Sequence, residues 1–185
     1  MAPRLLVLAS GTGSTLQAMI DGELGADIVA AGTDVAGCQA MTRAQSAGIE
    51  TFVERLADYP DRQAWNDALA ERIAAYRPDL IALAGFMRVL APSVVRRFRI
   101  LNTHPSLLPA FPGSHALRDA LAAGVTSTGV TVHWVDEGVD TGPIIVQAPV
   151  PIVPGDDEDS LRVRVQAVEK PLYLTALRTL CKEFG

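Results

Sequence analysis

Histidine and cysteine are scarce in this chain: three of the first and two of the second in 185 residues. Cys38 and Cys181 stand far apart, with neither metal-ligand spacing nor the pattern of a disulfide framework. Buried thiols in a reducing compartment are the simpler reading, and no metal site is expected. Basic residues are outnumbered, 16 against 21 acids, for a net charge of −5. That balance disfavours the phosphate-neutralising surface that nucleic-acid binding needs, while leaving room for one small anion in a local pocket. No apolar run approaches the roughly 20 residues of a membrane-spanning helix. The first run, Leu5 to Ala9, is cut at once by Ser10-Gly11-Thr12-Gly13 and has no signal-peptide cleavage context. The expectation is a cytoplasmic protein with small-molecule partners, no nucleic acid and no membrane.

What the chain does have is apolar content, 49% against 20% charged residues. That favours a compact fold, expected as a single domain over residues 1–185. Short apolar runs alternate with helical spacing: Leu5 to Ala9, Asp27 to Ala31, Glu50 to Val53, Asp79 to Ala84 and Phe98 to Leu101 read as strands. Ser14 to Ile20, Ala36 to Ala47 and Asp61 to Tyr76 read as the intervening helices, the last with Trp65, Leu69 and Ile73 four apart. Beyond residue 100 the pattern changes. Ser127 to Val135 and Pro143 to Val150 read as two strands joined by a short Gly-rich loop, an antiparallel addition. Ser160 to Leu180 is a long final helix, and Pro171 predicts a kink or break near Val168. The fold class is α/β: a Rossmann-like, mostly parallel twisted sheet with helices on both faces and an antiparallel C-terminal part.

The turn Ser10-Gly11-Thr12-Gly13-Ser14-Thr15 lies between the first strand and first helix, where backbone amides can hold an anion. Asp34, at the end of the second strand, stands about where a dinucleotide-binding fold keeps its ribose carboxylate. An NAD-dependent oxidoreductase is therefore an alternative. Against it, the third glycine of G-x-G-x-x-G is replaced by Leu16, and no lysine follows Gly13 to make a P-loop. A single phosphate monoester on Gly13, Ser14 and Thr15 suits the turn better.

Asn102 and His104 flank Thr103 at a strand end, just before Pro105. Two apart on extended backbone, they share a face. An amide donor beside an imidazole suits a reaction in which negative charge grows on a carbonyl oxygen. Asp140, in the loop Glu137-Gly138-Val139-Asp140-Thr141-Gly142, would orient the ring and favour the imidazolium. There is no nucleophile elbow, so direct transfer without a covalent enzyme intermediate follows. Two histidines serve for comparison. His115 reads as a cap or loop residue. His133 is out of phase with Val130, Val132 and Trp134 and is left outside the site.

At this point the residues resemble a known family. Asn102-Thr103-His104-Pro105-Ser106-Leu107-Leu108-Pro109 is similar to the signature of the folate-dependent formyltransferases, and SGTGSTLQ, AGFMRVL, TGVTVHWV and DEGVDTGPI match in the same order. The match is best with the glycinamide ribonucleotide transformylases. The resemblance implies transfer of a formyl group from 10-formyltetrahydrofolate, as co-substrate, to the amine of glycinamide ribonucleotide in purine biosynthesis. Formyltetrahydrofolate deformylase, a hydrolase, is the alternative in the same family. Relatives acting on tRNA or hydrolysing the folate carry an added domain, so the length of this chain sets the expectation. Implied roles are catalysis by Asn102, His104 and Asp140, with Thr131 supporting them. Gly13, Ser14 and Thr15 would hold the substrate phosphate, and Gln166 and Glu169 would approach the ribonucleotide. Arg62, Met87, Arg88, Val89 and Leu90, with Glu137, Gly138, Val139 and Asp140, would bind the folate. The half up to about residue 100 then becomes the phosphate side, and about 101–185 the catalytic and folate side. A monomer or homodimer is expected.

Overall fold

The structure is a computed structural model and describes residues 2–183. In chain order its elements are β1 (Arg4–Leu8), α1 (Ser14–Asp21), β2 (Asp27–Thr33), α2 (Gln39–Ser46), β3 (Thr51–Val53), α3 (Arg62–Ala75), β4 (Leu80–Leu83), α4 (Pro92–Val95), β5 (Ile100–His104), α5 (Ala116–Ala122), β6 (Ser127–Trp134), β7 (Ile144–Pro151) and α6 (Glu158–Lys182). A short 3-10 turn covers Leu56–Asp58. The strands form one seven-stranded sheet in the order β3-β2-β1-β4-β5-β6-β7. The pairings β1 with β2, β1 with β4, β2 with β3 and β4 with β5 are parallel, and β6 with β7 is antiparallel. The mostly parallel α/β sheet with an antiparallel C-terminal part is therefore as the sequence pattern predicts.

The chain divides into two compact units. One takes the chain up to Leu101 and from Leu177 onward; the other is Asn102–Ala176. In the first unit β1 lies between β2 and β4, so the direction of winding reverses there. Its residues Leu5 to Leu8 are fully buried, as a strand covered on both faces requires. The crevice outside the carboxyl ends at such a reversal is where open α/β sheets hold ligands. The turn after β1 and the segment after β4 stand at those ends. On α3, Trp65, Leu69 and Ile73 are buried along one side, and Asp61 caps the first turn through Ala64 N–H at 2.8 Å.

In the second unit, Leu117 of α5, Val130 of β6, Val150 of β7 and Leu161 and Val165 of α6 form a shared core. Two boundaries differ from the sequence reading. The fifth strand runs Ile100–His104 instead of starting at Phe98, because its pairing with β4 begins at Ile81–Ile100. Asn102 and His104 therefore sit within the strand. The break expected near Val168 is absent: α6 is assigned continuously through Pro171. Proline removes one ladder bond and crowds one carbonyl, a local cost. Burial of Leu161, Val165, Tyr173 and Leu177 on either side of it outweighs that cost.

Gly13 is left-handed, with φ +73°, and a Cβ there would lie 2.5 Å from Ala40 Cα. Gly11 has open space around it. Gly13→Ala is expected to cost about 2–5 kcal/mol, from the left-handed penalty and the overlap together. Gly11→Ala should change stability by less than about 1 kcal/mol. Urea denaturation of both variants checks this.

Candidate active site

Strand alternation puts Asn102 and His104 on the same face of β5. The His104 ring is 5% exposed. Its Nε2 lies 2.8 Å from the Phe111 carbonyl oxygen, and its Nδ1 lies 3.3 Å from Asp140 Oδ2. Both nitrogens thus face oxygen acceptors. Asp140 Oδ2 also accepts the Gly113 N–H at 2.8 Å.

The loop before β7 aims that carboxylate. Asp136 Oδ1 accepts from Gly138 N–H at 3.0 Å and from the Thr141 hydroxyl at 2.6 Å. A Cβ on Gly142 would overlap the Trp134 carbonyl, so only glycine passes there. Asp140 itself is left-handed, with φ +56°, a conformation aspartate tolerates better than most residues. Thr131 is fully buried. Its hydroxyl donates to the Ser106 carbonyl at 2.7 Å and accepts from Leu108 N–H at 3.1 Å and Gln147 Nε2 at 2.8 Å. It anchors the turn that follows His104 and carries Phe111. Gln147, which the sequence reading did not pick out, also reaches the Leu108 carbonyl at 2.9 Å. Its register opposite Thr131 across the hairpin is the signal that could have found it.

His133 requires a correction. It is buried, with Nε2 3.3 Å from Asn102 Nδ2 and 3.7 Å from Asp140 Oδ1. Being out of phase with Val130 and Val132 puts it in phase with Thr131, on the site face. Its Nδ1 lies 2.9 Å from the Trp134 carbonyl, an acceptor, so the hydrogen belongs on Nδ1. Nε2 is then free to accept from the Asn102 amide. The β6–β7 register shifts beside it, between Val132 and His133.

In the first unit, Gly13 precedes α1 and no side chain caps that helix, so the Ser14 and Thr15 amides keep their donor capacity. Arg43 Nε donates to the Thr12 carbonyl at 2.8 Å. After β4, Met87 and Val89 are 73% and 53% exposed while Leu90 is buried. Arg62 donates to the Val89 carbonyl at 2.7 Å. Arg88 Nε and the Ser10 hydroxyl both bind the Asp34 carboxylate, each at 2.6 Å. Asp34 is thereby occupied, so the dinucleotide reading loses the carboxylate it relied on, and the buried Leu16 side chain stands against it as well. In the second unit, Glu137, Gly138 and Val139 are exposed and so is Gln166. Burial pushes the Glu169 carboxyl up, against the opposing charge of Lys170. His115 is the cap residue before α5. Among the described residues no cluster of histidine, cysteine and acid could hold a metal, and no helix is long and apolar enough to cross a membrane.

A family model described as formyl transferase matches residues 3–177. The chain belongs to that family. It is 51% identical over 182 residues to the phosphoribosylglycinamide formyltransferase of Mycobacterium tuberculosis, covering 96% of this chain and 84% of that protein. The enzyme of the same name from Escherichia coli is 41% identical over 91% of this chain and 82% of its own. Among solved structures, glycinamide ribonucleotide transformylase 1 from Symbiobacterium toebii superposes with a TM-score of 0.95 at 44% identity, covering 98% of this chain and 89% of that one. These formyltransferases carry the same fold.

Two outcomes follow from this geometry. His133→Ala frees the Asn102 amide and should lower kcat for formyl transfer by about 10- to 100-fold, with the melting temperature largely kept. Steady-state kinetics beside a thermal melt checks it. Glu169, with its carboxyl raised in the folded chain, loses stability as pH rises through and above the ordinary carboxylate range of about 4.3. Glu169→Gln should therefore be more stable than the parent at pH 8 and no more stable at pH 4, by urea titration at both.

Proposed function

We propose that this chain transfers the formyl group of 10-formyltetrahydrofolate to the amine of glycinamide ribonucleotide, a step of purine biosynthesis. The observation that carries the reading is the buried His104 ring, with Asp140 at one nitrogen and Asn102 two residues away on the same strand face. The sequence similarity to phosphoribosylglycinamide formyltransferases supports it.

The folate supplies the formyl group, and the neutral amine of the ribonucleotide attacks its carbon. As that carbon becomes tetrahedral, negative charge moves onto the formyl oxygen. Asn102 Nδ2 and an N–H of His104 are the donors for that charge. Asp140 holds the ring through Nδ1, so the N–H now on the Phe111 carbonyl is the one that can swing to substrate. The attacking amine must lose one proton and the departing folate nitrogen must gain one. His104 and Asp140 are the groups that move it, through water. His133 holds the Asn102 amide in place, and Thr131 holds the turn beneath.

The folate suits the segment after β4: its backbone is tied down while the Met87 and Val89 side chains remain open to a flat ring. Arg62, Arg88 and Leu90, with the backbone of Glu137 to Asp140, complete that assignment. Gly13, Ser14 and Thr15 take the substrate phosphate on free amides. Gln166 and Glu169 take the ribonucleotide. The chemistry calls for no metal. The chain works in the cytoplasm as one formyltransferase domain, residues 1–185, monomeric or as a homodimer.

Product analysis with both substrates tests the assignment. Formylglycinamide ribonucleotide should form, with folate consumption dependent on the ribonucleotide. Formate released at the same rate without ribonucleotide would make the chain a hydrolase instead. His104→Ala and Asp140→Ala should each lower turnover by roughly 10²–10³-fold or more while circular dichroism shows that the chain stays folded.

A further inference from the structure

Asp34 is a buried carboxylate that the proposed chemistry leaves without a task. It is 7% exposed, at the turn leaving β2, and its two oxygens grip different segments. Oδ1 accepts the Ser10 hydroxyl at 2.6 Å and Oδ2 accepts Arg88 Nε at 2.6 Å. Ser10 Oγ in turn accepts the Met87 N–H at 3.1 Å, and Ser10 N–H donates to the Gly85 carbonyl at 3.1 Å. One acid thus fastens the stretch 85–88 after β4 to the end of β1. Arg62 on the Val89 carbonyl, and Asn66 Oδ1 on the Ala91 N–H at 2.9 Å, fasten the far side of the same stretch. The result is a short backbone strip fixed at both ends, with Met87 and Val89 turned out to solvent. Fixed backbone under exposed apolar side chains is the posture of a recognition strip, because the ordering cost is met before a ligand arrives.

We infer that Asp34 is a positioning residue for the folate: through Ser10 and Arg88 it presets the 87–90 strip. This rests on the folate role proposed for that strip. The Ser10–Thr15 turn has anchors of its own, Ala40 N–H on the Gly11 carbonyl at 3.1 Å and Arg43 on the Thr12 carbonyl. Loss of Asp34 should therefore disturb the strip and spare the phosphate turn. Its charge matters as well as its shape. Arg88 is a planar donor whose fixed fork suits a carboxylate, and a carboxylate can accept Arg88 and Ser10 together without offering a donor to either.

The test is steady-state kinetics on the full chain, varying each substrate separately. Asp34→Ala should raise KM for 10-formyltetrahydrofolate by about tenfold, with kcat and KM for the ribonucleotide within about twofold. Asp34→Asn, which keeps the size but turns an amide NH2 towards one of the two donors, should raise folate KM by about threefold. Ser10→Ala, a smaller change, should raise folate KM by about threefold. If Asp34→Ala does not fold, Ser10→Ala and Asp34→Asn decide. A folate KM that stays within twofold in the folded variants overturns the inference, as does an equal shift in both KM values and kcat. Failure of the parent chain to transfer formyl at all would instead overturn the functional reading beneath it.

Discussion

A buried imidazole with an oxygen at each nitrogen is the arrangement around which the second unit is organised. A ring so placed has few rotational options, because turning it would strand a donor away from water. Each neighbour contributes to that fixity. The β5 alternation delivers the ring, the glycine-bearing loop before β7 delivers the carboxylate, and Thr131 with Gln147 holds the turn that brings the Phe111 carbonyl round. None of these contacts is exceptional alone. Together they place a proton donor where substrate can compete for it.

The Phe111 carbonyl and a developing oxyanion want the same N–H, and the oxyanion is the stronger acceptor. A donor already satisfied by the protein costs little to keep buried before substrate binds. It is transferred when charge grows on the formyl oxygen. The amide of Asn102 is treated the same way, resting against the His133 ring until something more negative is offered.

Much of this was legible in the residues. Continuous apolar runs gave β1 and β4, and period-four and period-two spacing gave α3 and the final hairpin, since burial leaves a mark in sequence. Asn102, His104 and Asp140 could be picked out because a proline and two glycines punctuate their surroundings. His133 could not, by the reasoning used: phase was read against its apolar neighbours, and the other face of β6 proved to be the one carrying chemistry. The start of β5 at Ile100 depends on pairing with β4, which no local pattern contains. The unbroken α6 shows tertiary burial prevailing over a helix-breaking residue. Asp34 was noticed for its place after β2, but its partners Ser10 and Arg88 come from other strand ends, far away in sequence.

The antiparallel hairpin carries one more consequence. Strand β7 ends the sheet order, and Pro149 and Pro151 lie opposite Gly129 and Ser127. The Ile152 N–H points inward, to the Thr126 carbonyl at 2.9 Å, so amides of the alternate set, 149 and 151 among them, would point outward. Proline has no such hydrogen to offer. The outer rim of the sheet is thus blunted at two consecutive bonding positions without sacrificing a rung of its own ladder, which protects the chain against runaway strand addition as it is made and crowded.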